Sequence, residues 1–311
     1  MTKILIVGIG GVGGYFGGLL AHAYHSRQDL SICFMARGEN LYSIKQNGLL
    51  VSNGNTEIRV FPDIISDDPV DFGEADFIII CTKSYDIKET AQKIESCVGK
   101  RTVLLPLLNG INCTEELRNL YPNNLVANGC AYIISRLIAP GHIRTKGNDH
   151  SIIFGIDTVD SRLDQLYDIF KQANVDATLT QDIIAKIWEK YIFISTTATV
   201  TSYYNKTFGE IKNSPECRRS LKELIEECYA VAECKKIMLP KDVKEKVWDK
   251  FIGLPFETTT SMHSDFLSGK SNTEVYSLTG YLIEEARKYS LILPKYQEMY
   301  AKLINNQNIE N

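Results

Sequence analysis

The hexapeptide Gly8-Ile9-Gly10-Gly11-Val12-Gly13 follows directly on the apolar run of residues 3–7 and opens a stretch with helical spacing over residues 12–25. Strand, glycine turn and helix in that order can cradle a pyrophosphate. The first glycine permits the tight turn, the second lets backbone approach the phosphates, and the third lets the helix pack closely on the strand. The free N–H groups at the helix start then face the anion. The plainer alternative is a structural glycine turn, but the placement after the first strand favours a dinucleotide. A second apolar run, residues 30–36, ends at Arg37-Gly38. Sites for NAD usually offer Asp or Glu there, about 20 residues past the loop. A guanidinium pairs bidentately with a 2′-phosphate, so Arg37 favours NADP over NAD; the competing reading is a surface arginine at a strand end.

Three more polar residues stand where chemistry is expected. Thr82-Lys83-Ser84 and Asn109-Gly110 close two further strand-like runs, residues 75–82 and 102–108. Open α/β sheets bind ligands at the carboxyl ends of their strands, so Lys83 and Asn109 are candidates for contact with cofactor or substrate. Otherwise they are a surface lysine and a turn residue before glycine. Lys190 is different. At 100° per residue, Ile183, Ile187, Lys190, Ile194 and Ala198 fall within about 80° of one another, so Lys190 belongs to or borders an apolar stripe. Its ammonium either snorkels at a domain edge or faces a cleft, where it can protonate a developing alkoxide.

The elements that must position these residues alternate in the first half of the chain. Strand-like runs at 3–8, 30–36, 75–82, 102–108 and 124–132 are separated by helical stretches such as 86–98 and 113–121. Such alternation implies a doubly wound parallel sheet of Rossmann type with helices on both faces. Residues 141–156 read as further strands, antiparallel additions to that sheet, and 161–173 as one more helix. After residue 180 the strands stop. Asp182 can cap a helix through Trp188 and Tyr191, and Ser214-Pro215 starts another that runs to about Ile237 before Pro240. Further helices are expected at 241–252, 258–267, 274–289 and 294–305, with Thr273 or Asn272 as an N-cap that puts Glu274 in a first turn. The expected division is an α/β nucleotide-binding domain, 1–179, followed by an all-α domain, 180–311.

Composition bounds the function. The 311 residues are 44% hydrophobic and 23% charged, with a net charge of −4. This is ordinary globular composition with no basic block, which argues against nucleic acid as a partner. No apolar run approaches the ~20 residues needed to span a bilayer. The eight cysteines form no CxxC and no zinc-like spacing, so no metal site is expected. They read as reduced thiols in a cytoplasmic protein.

Taken together, these blocks resemble the ketopantoate reductase (2-dehydropantoate 2-reductase) family over nearly the whole chain. The resemblance rests on Gly8–Gly13, Arg37, Thr82-Lys83, Asn109-Gly110, Trp188-Glu189-Lys190, and Ser261-Met262 followed by Asp265 and Thr273-Glu274. It implies a Rossmann domain and a helical domain that bind NADPH between them and reduce a 2-keto acid to a 2-hydroxy acid, in pantothenate and coenzyme A biosynthesis. It further implies that Lys190 is the catalytic proton donor and that Asn109 lies near nicotinamide and substrate. Ser261 would bind substrate, and Glu274 would contact the cofactor and help hold the lysine. Arg37, with Lys83, would take the 2′-phosphate. The cofactor contacts would thus comprise Gly8, Ile9, Gly10, Gly11, Val12, Gly13, Arg37, Lys83, Asn109 and Glu274. A homodimer through the helical half is compatible with this reading.

The sequence departs from the family pattern in two places. The spacing from Asp265 to Glu274 is one residue longer than expected. The asparagines expected four and eight residues after the lysine are Ile194 and Ala198. A site that loses hydrogen-bonding groups loses selectivity for the polar group they met, so a paralogue acting on another 2-keto acid stays open. Two other readings remain. A dehydrogenase of a phosphorylated substrate would need clustered cations, and Arg218-Arg219 is the only adjacent arginine pair in the helical half. An NADP-binding regulator without turnover would fit the loss of the two amides.

Overall fold

A computed structural model describes residues 1–54 and 56–309, leaving aside the side chains at 148, 149 and 306–309. The chain divides into two units: residues 1–108 with 113–183, and residues 109–112 with 184 onward. The four residues 109–112 thus belong with the helical unit, although they lie in the middle of the strand-rich half of the sequence.

In the first unit the elements run β1 (Thr2–Val7), α1 (Gly11–Ala23), β2 (Leu30–Met35), α2 (Gly38–Asn47), β3 (Leu49–Asn53), β4 (Thr56–Val60), β5 (Ile64–Ser66) and β6 (Ala75–Ile80). They continue α3 (Ile87–Lys93), β7 (Val98–Pro106), α4 (Cys113–Leu120), β8 (Leu125–Val126), β9 (Asn128–Ala139), β10 (His142–Gly155), α5 (Ser161–Gln172) and β11 (Asp176–Leu179). Six of the strands form a sheet in the order β5-β2-β1-β6-β7-β8, parallel throughout. In chain order that is 3-2-1-4-5-6, the doubly wound dinucleotide-binding arrangement, and it reverses direction at β1. Its strands are apolar on both faces, as helices covering both sides require: Ile4 to Val7 and Phe77 to Ile80 are all buried.

Residues 141–156 do not extend that sheet. They form one long strand, β10, in a second, five-stranded sheet. It pairs antiparallel with β9 along one edge and parallel with β3 and β11 in succession along the other. The run expected as a single strand at 124–132 is likewise split between the two sheets, with β8 in the first and β9 in the second. Gly129 makes the crossing feasible: a Cβ there would sit 2.6 Å from Leu105 Cδ1 and 2.9 Å from Leu107 Cδ2, so only a bare backbone can pass this close to β7. Helix α1 lies between the sheets, and its glycines alternate between them. Gly17 approaches Ile6 and Phe34 of the first sheet, while Gly14 and Gly18 approach Ile143 and Val51 of the second.

The second unit is helical: α6 (Ile183–Tyr204), α7 (Phe208–Asn213), α8 (Pro215–Cys234), α9 (Val243–Gly253), α10 (Ser261–Leu267), a π-helical turn Tyr276–Gly280, α11 (Tyr281–Lys288) and α12 (Pro294–Ile309). Ser214 does cap α8, its hydroxyl accepting from Cys217 N. The helix stops at Cys234, before the expected Ile237, because Lys236 turns to φ 57° and Ile237 N donates back to Ala232 O. The helix expected over 274–289 is interrupted by the π turn. Among the described residues, no helix is long and apolar enough to cross a membrane.

Candidate active site

The glycine loop fits a pyrophosphate group by group. Gly8 turns at φ 91°, and a Cβ there would lie 2.9 Å from Thr82 N, so the end of β1 can lie against β6 only as glycine. A Cβ on Gly13 would fall on Gly8 O and stand 2.9 Å from Cys81 Cβ. The thiol of Cys81, pushed up to about 12 by burial, packs there as a small apolar group. Gly10 is the opposite case: a Cβ on it would meet nothing within 4 Å. That open space lies at the N-cap of α1, which has no side-chain cap, so the first N–H groups of the helix are left for an anion. Val12 follows in the first turn, and Ile9 is buried beneath the loop. Sequence reasoning missed Asn40, which fixes the loop from the side. Its amide donates to Ile9 O at 2.8 Å and accepts from Gly141 N at 2.8 Å. Nothing local to α2 marks this asparagine as different from any polar surface residue.

Arg37 caps the start of α2 at the carboxyl end of β2, and Lys83 stands at the corresponding end of β6. Strands β2 and β6 flank β1, so both cations belong to loops beside the glycine turn. The Arg37 side chain is 80% exposed and approaches Asp86 Oδ2 at 3.4 Å.

In the helical unit, Lys190 and Asn109 meet. The Lys190 ammonium donates to Asn109 Oδ1 at 3.2 Å across 81 residues of sequence. The amide oxygen is therefore engaged, and the Asn109 NH₂ is presented the other way as a donor. The predicted stripe is buried at its two ends, Ile183 and Ala198, but half-open in the middle, at Ile187, Lys190 and Ile194. The buried face of α6 lies beside it, at Trp188, Tyr191, Ile192 and Ser195. An amine bordering that face is held at its rim instead of being folded into the core.

The loop that carries Asn109 is seated by Gly110, at φ 99°. A Cβ there would stand 3.2 Å from Ser277 Cβ and 3.1 Å from Asn112 Oδ1. Ser277 belongs to the π turn, and its hydroxyl donates to the carbonyl of Glu274 at 3.1 Å. Asn109, Lys190 and the backbone segment of the buried Glu274 are thus gathered in one place. Ser261 is not gathered with them by any of these contacts. It is exposed at the start of α10, where Thr260 Oγ1 meets Thr201 Oγ1 of α6 at 2.9 Å. Thr201 lies eleven residues beyond Lys190, about 16 Å along the helix axis.

A π turn leaves carbonyls without their usual helical partners, and α6 supplies donors for them. Tyr191 Oη donates to Ser277 O at 3.1 Å, and Ser195 Oγ donates to Leu278 O at 2.5 Å. Thr199 Oγ1 meets Thr279 Oγ1 at 2.8 Å. Burial pushes the Tyr191 phenol well above its ordinary value, which keeps it a donor. These hydroxyls recur every four residues, on the face next to Lys190. Thr196 and Thr197 instead bond back to the carbonyls of Ile192 and Phe193. None of these five hydroxyls takes over the role of an amide at Ile194 or Ala198. Ser195→Ala should therefore lower the free energy of unfolding by about 1–3 kcal/mol in urea titration, because it leaves buried polar partners at Leu278 O and Tyr296 Oη. An unchanged midpoint would remove this account of the π turn.

Comparison with known proteins bears on the family of the chain. Residues 4–157 match the family model described as "Ketopantoate reductase PanE/ApbA", and residues 182–307 match "Ketopantoate reductase PanE/ApbA C terminal". The chain is 27% identical over 303 residues to an "Uncharacterized oxidoreductase YkpB" of Bacillus subtilis (strain 168), covering 97% of each chain. It is 26% identical to a 2-dehydropantoate 2-reductase of Aquifex aeolicus (strain VF5), covering 100% of this chain and 98% of that one. Among solved structures, the 2-dehydropantoate 2-reductase of Porphyromonas gingivalis W83 superposes with a TM-score of 0.85 at 31% identity, covering 97% of this chain and 99% of that one. With both segments matched in order along a nucleotide-binding α/β unit and a helical unit, the chain belongs to the ketopantoate reductase family and is an oxidoreductase acting on CH–OH.

Proposed function

We propose that this protein reduces the ketone of a 2-keto acid to a 2-hydroxy acid with NADPH, with 2-dehydropantoate as first substrate and pantothenate synthesis as its setting. The observation that carries the reading is the Lys190 ammonium, held at 3.2 Å by Asn109 at the rim of the helical core, in a chain whose other unit offers a pyrophosphate cradle. The names borne by the relatives from Aquifex and Porphyromonas support the substrate.

When bound, a reduced nicotinamide supplies the hydride. The chain's residues do the rest. Gly8 to Gly13 and the start of α1 bind the pyrophosphate, and Arg37 with Lys83 binds the 2′-phosphate. Asn109 holds Lys190 by its oxygen and turns its NH₂ toward the acceptor atoms of the ligands. Lys190 gives its proton to the carbonyl oxygen as negative charge develops there. Glu274 orients the lysine or grips the nicotinamide ribose, and Ser261 places the substrate carboxylate. Ile194, in the half-open middle of the stripe, puts an apolar side chain one turn from Lys190, which suits a substrate with an apolar side chain. A phosphorylated substrate is disfavoured: Arg219 is exposed on α8, and the Arg218 guanidinium is engaged with Lys212 O at 2.5 Å.

The test is consumption of NADPH and of NADH with a panel of 2-keto acids, 2-dehydropantoate first. Turnover with at least one acid, faster with NADPH, is expected. Tight NADPH binding without oxidation by any acid would favour a regulator instead. Arg37→Ala should weaken NADPH by about tenfold or more and leave NADH little changed, as the loss of a charge-assisted phosphate contact requires. Isothermal titration of both nucleotides checks this.

A further inference from the structure

We propose that Asp86 is a specificity residue for the cofactor: its carboxylate partners Arg37 when no 2′-phosphate is present, accepts the ribose 2′-hydroxyl of a non-phosphorylated dinucleotide, and so moderates the preference that Arg37 creates. The proposal rests on the reading of Arg37 as a 2′-phosphate contact.

β1 lies between β2 and β6, so the loops that leave β2 and β6 stand on either side of the glycine turn. Arg37 comes from the first loop and Asp86 from the second, and their side chains meet at 3.4 Å. The usual sequence rule looks for an acid at the end of the second strand, because that is where a 2′-hydroxyl lies. Here that place holds a cation, and the acid reaches it from the loop after β6, on the other side of β1. The two partners are not equivalent. Asp86 is 24% exposed and its backbone N–H donates to Lys83 O at 3.0 Å, whereas the Arg37 side chain is 80% exposed. The backbone of Asp86 is thus anchored and its carboxylate the more enclosed partner, and the exposed guanidinium is the one with room to turn toward a ligand.

The charges then decide between ligands. A 2′-phosphate brings nearly two negative charges to Arg37 and Lys83, but it must displace or tolerate the Asp86 carboxylate beside them. A 2′-hydroxyl brings no charge and can donate to that carboxylate. The same pair thus admits both cofactors, with the phosphorylated one favoured by less than two cations alone would allow.

Binding of NADPH and NADH to the full chain by isothermal titration, with Asp86→Asn and Arg37→Ala beside it, tests this. Asp86→Asn should tighten NADPH by about fivefold to tenfold and weaken NADH by about threefold, an effect limited by the exposure of the pair. The gain should shrink as salt is raised, because screening weakens the repulsion that the substitution removes. An unchanged or lowered affinity ratio in Asp86→Asn, with Arg37→Ala still costing NADPH affinity, overturns the role of Asp86 and leaves that of Arg37 intact. Should Arg37→Ala leave NADPH binding unchanged, the phosphate reading of Arg37 falls, and the proposal with it.

Discussion

Lys190→Ala should lower kcat by about a thousandfold while NADPH binds as before, because a positioned general acid typically contributes ~10²–10⁴ in rate. The expectation follows from how the amine is held. Its hydrogen bond to Asn109 fixes its position, and the half-open middle of its stripe on α6 leaves it accessible. Removing the amine leaves the Asn109 oxygen without that donor, at a stability cost of about 1 kcal/mol, too little to unfold the unit. The effect should therefore appear in kcat, and the nucleotide affinity of the other unit should be unaffected. A steady-state comparison with a nucleotide titration separates the two quantities. Near-normal turnover would show that Lys190 is a rim lysine without a chemical role.

Gly10→Ala should leave the fold in place and weaken the dinucleotide by about a hundredfold. The backbone of Gly10 is extended with a negative φ, at φ −96° and ψ −156°, and a Cβ would meet nothing within 4 Å. The methyl group therefore fills only the open space at the N-cap of α1. Holding a pyrophosphate off the helix start by one methyl group forfeits about two charge-assisted hydrogen bonds, or ~3 kcal/mol. Gly13→Ala is the contrasting variant. Its Cβ would fall on Gly8 O, so it should destabilise the first unit by about 1–3 kcal/mol as well as impair binding. Thermal melts and nucleotide titrations of both variants distinguish a blocked site from a strained fold. Unimpaired binding in Gly10→Ala would mean that the open space at this N-cap is not where the phosphates lie.

The glycine loop was legible because its constraints are local. A positive φ at Gly8, a close helix contact at Gly13 and open space at Gly10 each leave a mark on a single residue type. The parallel sheet was legible for a related reason, since strands buried on both faces are written as continuous apolar runs. The second sheet was not. Residues 49–53 and 56–60 are short and partly polar; they pair with each other, and the pairing of 49–53 with the distant 142–145 leaves no periodic trace. The break between β8 and β9 depends on how Gly129 passes β7, which the run 124–132 cannot express.

The same distinction holds at the candidate site. The type of Lys190 and its place beside an apolar stripe could be read, but its partner could not, because Asn109 is 81 residues away. Nothing local to α6 marks the hydroxyls of Tyr191, Ser195 and Thr199. Their role appears only once the π turn brings the Ser277 and Leu278 carbonyls and the Thr279 hydroxyl to them. Asp86 was invisible for another reason: a rule tied to the end of β2 does not see an acid supplied from beyond β1, by the loop after β6.

The most direct measurement follows the hydride itself. The protein is incubated with 2-dehydropantoate and NADPH carrying deuterium at both positions of nicotinamide C4, and the product is weighed by mass spectrometry. Pantoate heavier by one deuterium is the predicted result, with its yield collapsing in Lys190→Ala. Product without the label, or none from this or any other 2-keto acid at saturating cofactor, would contradict the account.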